Sequence, residues 1–149
     1  MPKNFSDKTF YRIIDANINR AGEGLRVSEE FTRFILDDSR LTSKLKSIRH
    51  GLRDIVNRLP VERFRLIEER DSLRDVGKGI LGREVQREDY SDIILANLAR
   101  VKESVRVLEE FSKLVSQAVA LRFKEMRYGV YDIEKKIIKR IKALPDIRP

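Results

Sequence analysis

The strongest constraint on this chain is that it contains one stretch twice. Residues 16–31 read Ala-Asn-Ile-Asn-Arg-Ala-Gly-Glu-Gly-Leu-Arg-Val-Ser-Glu-Glu-Phe, and residues 96–111 read Ala-Asn-Leu-Ala-Arg-Val-Lys-Glu-Ser-Val-Arg-Val-Leu-Glu-Glu-Phe. More than half of the positions are identical, which marks an internal repeat. The echo continues downstream, where Lys46-Ser47-Ile48-Arg49-His50-Gly51-Leu52 is answered by Lys124-Glu125-Met126-Arg127-Tyr128-Gly129-Val130 at a slightly different offset. The repeating unit is therefore a pair of segments.

Both segments carry apolar residues at helical spacing. At about 100° per residue, Ile13, Ile14, Ala21, Phe31 and Ile35 surround Asn17, while Ile93, Ile94, Val101, Phe111 and Val115 surround Asn97. Arg20 and Glu23, repeated as Arg100 and Glu103, flank these stripes. An amide on a core-facing stripe needs a partner, because burying one without a hydrogen bond costs about 1–3 kcal/mol. The wheel leaves two readings: the halves pair with each other, or they hold a ligand.

Helix signals place the elements. Ser6 or Asp7 caps a first helix running to about Asp37, and Asp37-Asp38-Ser39 caps a second over about 41–59, stopped by Pro60. A short helix is expected near 61–67. Asp89 caps a third long helix to about Val115, and a fourth covers about 118–142, with Pro145 ending the order. No segment alternates like a strand. The expectation is an all-α single domain over 1–149, with two helical hairpins (about 10–59 and 90–142) packed as a bundle about a pseudo-twofold axis. Residues 68–89 form a long irregular loop, and loops of that length tend to be functional or disordered. Gly22 and Gly24 each weaken a helix by about 1 kcal/mol, which points to close approach by another helix or by a ligand.

Composition narrows the chemistry. The chain has no cysteine and one histidine, His50, which argues against disulfides, thiol catalysis and zinc. No apolar signal core or membrane span is visible, so a cytoplasmic protein is expected. A net charge of +8 favours an anionic partner such as nucleic acid, acidic lipid or a phosphorylated small molecule. The repeated arginines lie near apolar stripes and alternate with glutamates, which disfavours a nucleic-acid track.

Several residues are candidates for phosphate chemistry. Arg49-His50 and Arg127-Tyr128 occupy matching points of the second and fourth helices, and arginine's planar fork suits phosphate. His50 taken alone is more often a structural hydrogen-bonder than a catalyst, though its place in the repeated unit favours a functional role. Gly77-Lys78-Gly79-Ile80-Leu81-Gly82 lacks the strand of a dinucleotide fingerprint. It reads either as a flexible connector or as a lid whose amides and Lys78 meet a phosphate. Asp71 and Asp75, with Arg70 and Arg74, are either surface ion pairs or carboxylates for nucleotide-bound magnesium. Arg26, Glu29 and Glu30, with Arg106, Glu109 and Glu110, read equally as functional groups or as helix-surface ion pairs.

Taken together, Asp15 to Arg20, Glu23 to Val27, Leu45 to His50, Arg70-Asp71, Asp75 to Gly77, Ala96-Asn97, Arg100, Glu103 to Phe111 and Met126 to Tyr128 resemble the helical domain found N-terminal to thiamine-phosphate synthase barrels, which is also encoded separately. The resemblance spans nearly the whole chain. It implies a monofunctional, ATP-dependent kinase of hydroxymethylpyrimidine phosphate that makes the diphosphate consumed in thiamine biosynthesis. The chain stops soon after Lys142, so no synthase barrel is expected within it.

The needs of phosphoryl transfer then distribute roles. Asp71 and Asp75 would hold Mg2+, and Arg20, Arg49, Arg100 and Arg127 would bind phosphates of the substrate and ATP. Asn17, Asn97 and Glu103 would contact the pyrimidine or orient those arginines, with Glu23, His50, Arg70, Lys78 and Tyr128 completing the site. The rival readings are a non-catalytic helical partner of a thiamine-phosphate synthase and a basic nucleic-acid-binding module. A synthase and a second copy of the chain are the candidate protein partners.

Overall fold

The computed structural model describes residues 7–79 and 85–144, and among them every regular element is helical. In α1 (Asp7–Glu30) the apolar residues recur every three or four positions, and Phe10, Ile14, Ala21 and Leu25 are wholly buried. That spacing keeps one face of a 3.6-residue helix turned inward. Beyond Glu30 the winding loosens into a π-helical turn, Phe31–Ile35, so the expected α-helix to Asp37 is corrected in its last turn. The N–H groups of Leu36 and Asp38 reach back to the carbonyls of Phe31 and Thr32 at 3.1 and 3.0 Å. Asp37 takes the left-handed conformation at φ 50°, which aspartate tolerates better than branched residues do, and the chain reverses.

Asp38 caps α2 (Ser39–Val56), its carboxylate accepting the Leu41 N–H at 2.9 Å. Leu41, Leu45, Leu52 and Ile55 are its buried face. The helix ends before Pro60, which corrects the expected end at Leu59. Arg58 and Leu59 already donate to the carbonyls three residues back, tightening the last turn. A short α3 (Arg63–Glu68) follows and is tied to α1 at both ends. The Tyr11 hydroxyl accepts the Glu62 N–H at 2.9 Å, and Asp15, one turn along α1, takes Arg70 in two bonds of 2.6 and 2.7 Å.

A second pair of long helices follows. α4 (Tyr90–Ser112) starts where Asp89 accepts the Asp92 N–H, and α5 (Gln117–Lys142) starts where the Ser116 hydroxyl accepts from Val119. Packing runs α1 on α4, α4 on α5, α5 on α2 and α2 on α1, closing a ring of four helices with α3 lying on α1. Phe123, Val130 and Ile137 of α5 meet Leu98, Val101 and Leu108 of α4 and their α1 and α2 counterparts in one core.

One of the two α1 glycines is required by this packing. A Cβ on Gly24 would sit 2.7 Å from Val101 Cγ2 and 2.9 Å from the Asn97 carbonyl oxygen, closer than real contacts allow. The α1 and α4 backbones approach there because glycine has no side chain. Ser6, Ile80 to Gly82 and Pro145 lie outside the described residues.

Candidate functional site

The repeat builds an ion-pair clamp in each half. On α1, Glu29 is only 5% exposed, and its carboxylate accepts Arg49 Nε of α2 at 2.8 Å and Arg26 Nη1 at 3.5 Å. On α4, Glu109 is equally buried and accepts Arg127 Nε of α5 at 2.8 Å and Arg106 Nη1 at 2.9 Å. The Arg49–Glu29 and Arg127–Glu109 pairs cross from helix to helix, while Arg26 and Arg106 pair with Glu29, Glu30, Glu109 and Glu110 along their own helices. Burial alone would raise the Glu29 pKa, but the hydrogen bond from Arg49 and the charges of Arg49, Arg26 and Lys46 outweigh it and hold the group below its ordinary value. Arg49 is correspondingly raised by its bond to Glu29, and Arg127 by bonds to Glu109 and Tyr131.

The repeated asparagines find a third solution, neither of the two the wheel left open. Asn17 Nδ2 donates to the Ile13 carbonyl at 2.9 Å, and Asn97 Nδ2 to the Ile93 carbonyl at 2.8 Å. Each amide satisfies itself one turn back on its own helix. Arg20, Arg100, Glu23 and Glu103 are exposed. The matched polar residues therefore do not converge on one enclosed cavity between the halves.

A cleft of about 1010 Å³ instead opens on the first half, between α1, α2, α3 and the segment up to Arg70. Its apolar floor includes Ile18, Leu52, Val56 and Leu66, and its amides are Asn19 and Asn57. Five arginines, Arg26, Arg49, Arg53, Arg63 and Arg70, line it against two carboxylates, Asp15 and Glu23. Gly22 is part of the wall: a Cβ there would meet nothing nearer than Leu52 Cδ2 at 3.9 Å, so its small size leaves open space where Gly24 serves helix contact.

Of the residues expected to form a site, Glu23, Arg49 and Arg70 line this cleft, and Asn17, Arg20, His50, Asn97, Arg100, Glu103, Arg127 and Tyr128 do not. Arg127 is held in the second half beneath Tyr128 and Tyr131, its guanidinium carbon 5.3 and 6.0 Å from their ring centres. Asp71 accepts the Arg74 backbone N–H and Nε, which lower its pKa, the backbone bond foremost. Asp75 accepts the Gly77 N–H at 2.8 Å, and Lys78 is exposed. Among the described residues no group of three His, Cys, Asp or Glu side chains is assembled for a metal ion. Asp71 is thus paired with Arg74, and Asp75 with a backbone amide two residues on.

Asp15, Asn19, Arg26, Arg53, Asn57 and Arg63 enter the cleft without having been singled out for a site. A usable signal was present in the differences between the two copies, at Gly22 against Lys102 and Arg53 against Tyr131.

Fold and cleft together define a helical-bundle domain with an arginine-lined cleft. Residues 12–136 match the model of the ThiD2 family, and the chain belongs to that family. It is 43% identical over 129 residues to a thiamine-phosphate synthase of Rhodopirellula baltica, covering 86% of this chain and 34% of that protein. A thiamine-phosphate synthase of Synechocystis is 40% identical over 128 residues, covering 85% and 36%. The chain spans about a third of the length of these relatives. No solved structure matches it. The relatives carry the name of a synthase, which overturns the expectation of a pyrimidine-phosphate kinase and favours the rival reading of a synthase's helical domain. Their names say nothing of ATP or magnesium. Among the described residues no helix is long and apolar enough to cross a membrane.

Proposed function

We propose that this chain serves thiamine biosynthesis as the helical partner domain of a thiamine-phosphate synthase, holding a phosphorylated pyrimidine in its cleft. Family membership supports the pathway, and the likeness to one third of named synthases supports the partnership. The observation that carries the ligand is the cleft itself. Five guanidiniums around an apolar floor suit a molecule with an anionic end and a flat ring, because arginine donates paired bonds to phosphate while apolar walls take up the ring. Asn19 and Asn57 supply amides for the polar edge of that ring.

Calorimetry of the purified chain with hydroxymethylpyrimidine phosphate, followed by assay of a thiamine-phosphate synthase barrel with and without the chain, tests this reading. Saturable binding and a changed rate of thiamine phosphate formation are expected. Absence of both would overturn it.

A further inference from the structure

The five cleft arginines are not equivalent. Arg49 is bonded to Glu29 at 2.8 Å, Arg26 pairs with Glu29 and Glu30 at 3.5 and 3.7 Å, and Arg70 grips Asp15 through two bonds. Each of these guanidiniums is engaged by a protein carboxylate, so an incoming anion competes with an existing ion pair. Arg53 and Arg63 line the same cleft, are exposed, and have no carboxylate partner among the described residues.

The repeat provides an independent sorting. Arg26 and Arg49 recur as Arg106 and Arg127, and both copies make the same clamp on a buried glutamate. A contact kept in both halves is explained by bundle architecture. Arg53 does not recur: aligned through Arg49 and Arg127, its counterpart is Tyr131. Arg63 stands on α3, and α4 and α5 are followed by no helix of that kind among the described residues. Arg70, beyond α3, does not recur either but is held by Asp15, so among the cleft arginines that the repeat does not explain, Arg53 and Arg63 are the two free of carboxylates among the described residues.

We infer that Arg53 and Arg63 grip the phosphoryl group of the cleft's ligand, while Arg26, Arg49 and Arg70 hold the walls in place. The inference rests on the proposed phosphorylated ligand and specifies which side chains recognise it. A phosphomonoester or diphosphate is the ligand class, since a free guanidinium fork presents parallel donors to adjacent phosphate oxygens. The ring end then lies toward Ile18, Leu52 and Leu66.

Titration calorimetry with two probes, hydroxymethylpyrimidine phosphate and the unphosphorylated alcohol, separates these roles in the wild type and in Arg53→Gln, Arg63→Gln and Arg122→Gln. Arg122 lies on α5 outside the cleft and controls for lost net charge. Each cleft variant should bind the phosphate about 10- to 100-fold more weakly, with affinity for the alcohol and helical circular dichroism unchanged. Arg53→Lys should recover part of the loss, because lysine keeps the charge without the fork. Wild-type affinity for the phosphate in both Gln variants overturns the arginine assignment alone. A wild type that binds neither probe overturns the cleft's ligand and this assignment with it.

Discussion

The two halves of the bundle share a clamp and differ in what lies beside it. Beside Arg49 in the first half are Gly22 and Val56, and the space between α1 and α2 stays open as the cleft. At the matching positions of the second half stand Lys102 and Glu134, joined at 2.8 Å. Lys102 also lies 5.4 Å from the centre of the Tyr131 ring, which in turn covers Arg127. An ion pair and an aromatic ring stand where the first half has Gly22, Val56 and Arg53. The two copies thus keep the same buried pairs, and they differ in the side chains at a few positions that wall the cleft in the first half.

The clamp offers the sharpest way to break this comparison. Glu109→Ala leaves Arg127, whose side chain is 14% exposed, with no buried counter-ion, and should cost about 2–3 kcal/mol, read as roughly 5–10 °C in thermal unfolding. Glu29→Ala should cost less, about 1–2 kcal/mol, because the open cleft lets water reach Arg49. Equal losses in the two halves would deny that the cleft changes the clamp's surroundings.

Gly24→Ala comes next. Its methyl must displace Val101 or the Asn97 carbonyl, and overpacking of this kind costs about 1–3 kcal/mol. Gly22→Ala should be neutral or slightly stabilising, since its Cβ meets ordinary contact distance. Urea unfolding of the two variants would show the contrast, and similar midpoints would contradict the different uses given to these glycines.

Swapping the wall residues bears on the cleft. Gly22→Lys places a long side chain in the opening and should lower affinity for hydroxymethylpyrimidine phosphate by about 10-fold, with stability nearly unchanged. The reverse swap, Lys102→Gly with Glu134→Val, removes a partly exposed ion pair and should shift stability by about 1 kcal/mol or less. Undiminished binding by the first variant would show that the cleft is not where the ligand sits.

The smallest effect concerns acid. The Glu29 carboxyl titrates below its unfolded value of about 4.5 in the folded chain, so folding gains its contribution fully above that pH and loses it as pH falls through the lower folded value. The Glu29→Ala variant should therefore lose less stability than the wild type between neutral pH and the acid side of 4.5. Parallel thermal-melt profiles would refute this.

Much of the framework is legible in the sequence. Apolar residues at helical intervals, together with Asp38 and Asp89 at helix starts, mark α2, α4 and α5 to within a few residues. Their capping bonds are local. The π-helical turn after Glu30 was not legible, because it depends on how Phe31 and Thr32 seat in the core and on the reversal at Asp37. The site was legible only in part. Repetition drew attention to Asn17, Arg20, Asn97 and Arg100, yet repeated polar residues here serve the scaffold or the surface. The cleft owes its character to Gly22, Arg53, Val56 and Arg63, positions where the copies diverge or which only one copy has.

The order of residues alone therefore determines an all-helical chain with a duplicated pair of long helices and a basic balance, since periodicity, caps and charge are properties of neighbours along the chain. Which arginines are neutralised and which remain available is decided by tertiary structure. A guanidinium's partner is whichever carboxylate the packing brings within about 3 Å, as Asp15 is brought to Arg70 from fifty-five residues away. Nothing in the spacing of either residue announces that meeting.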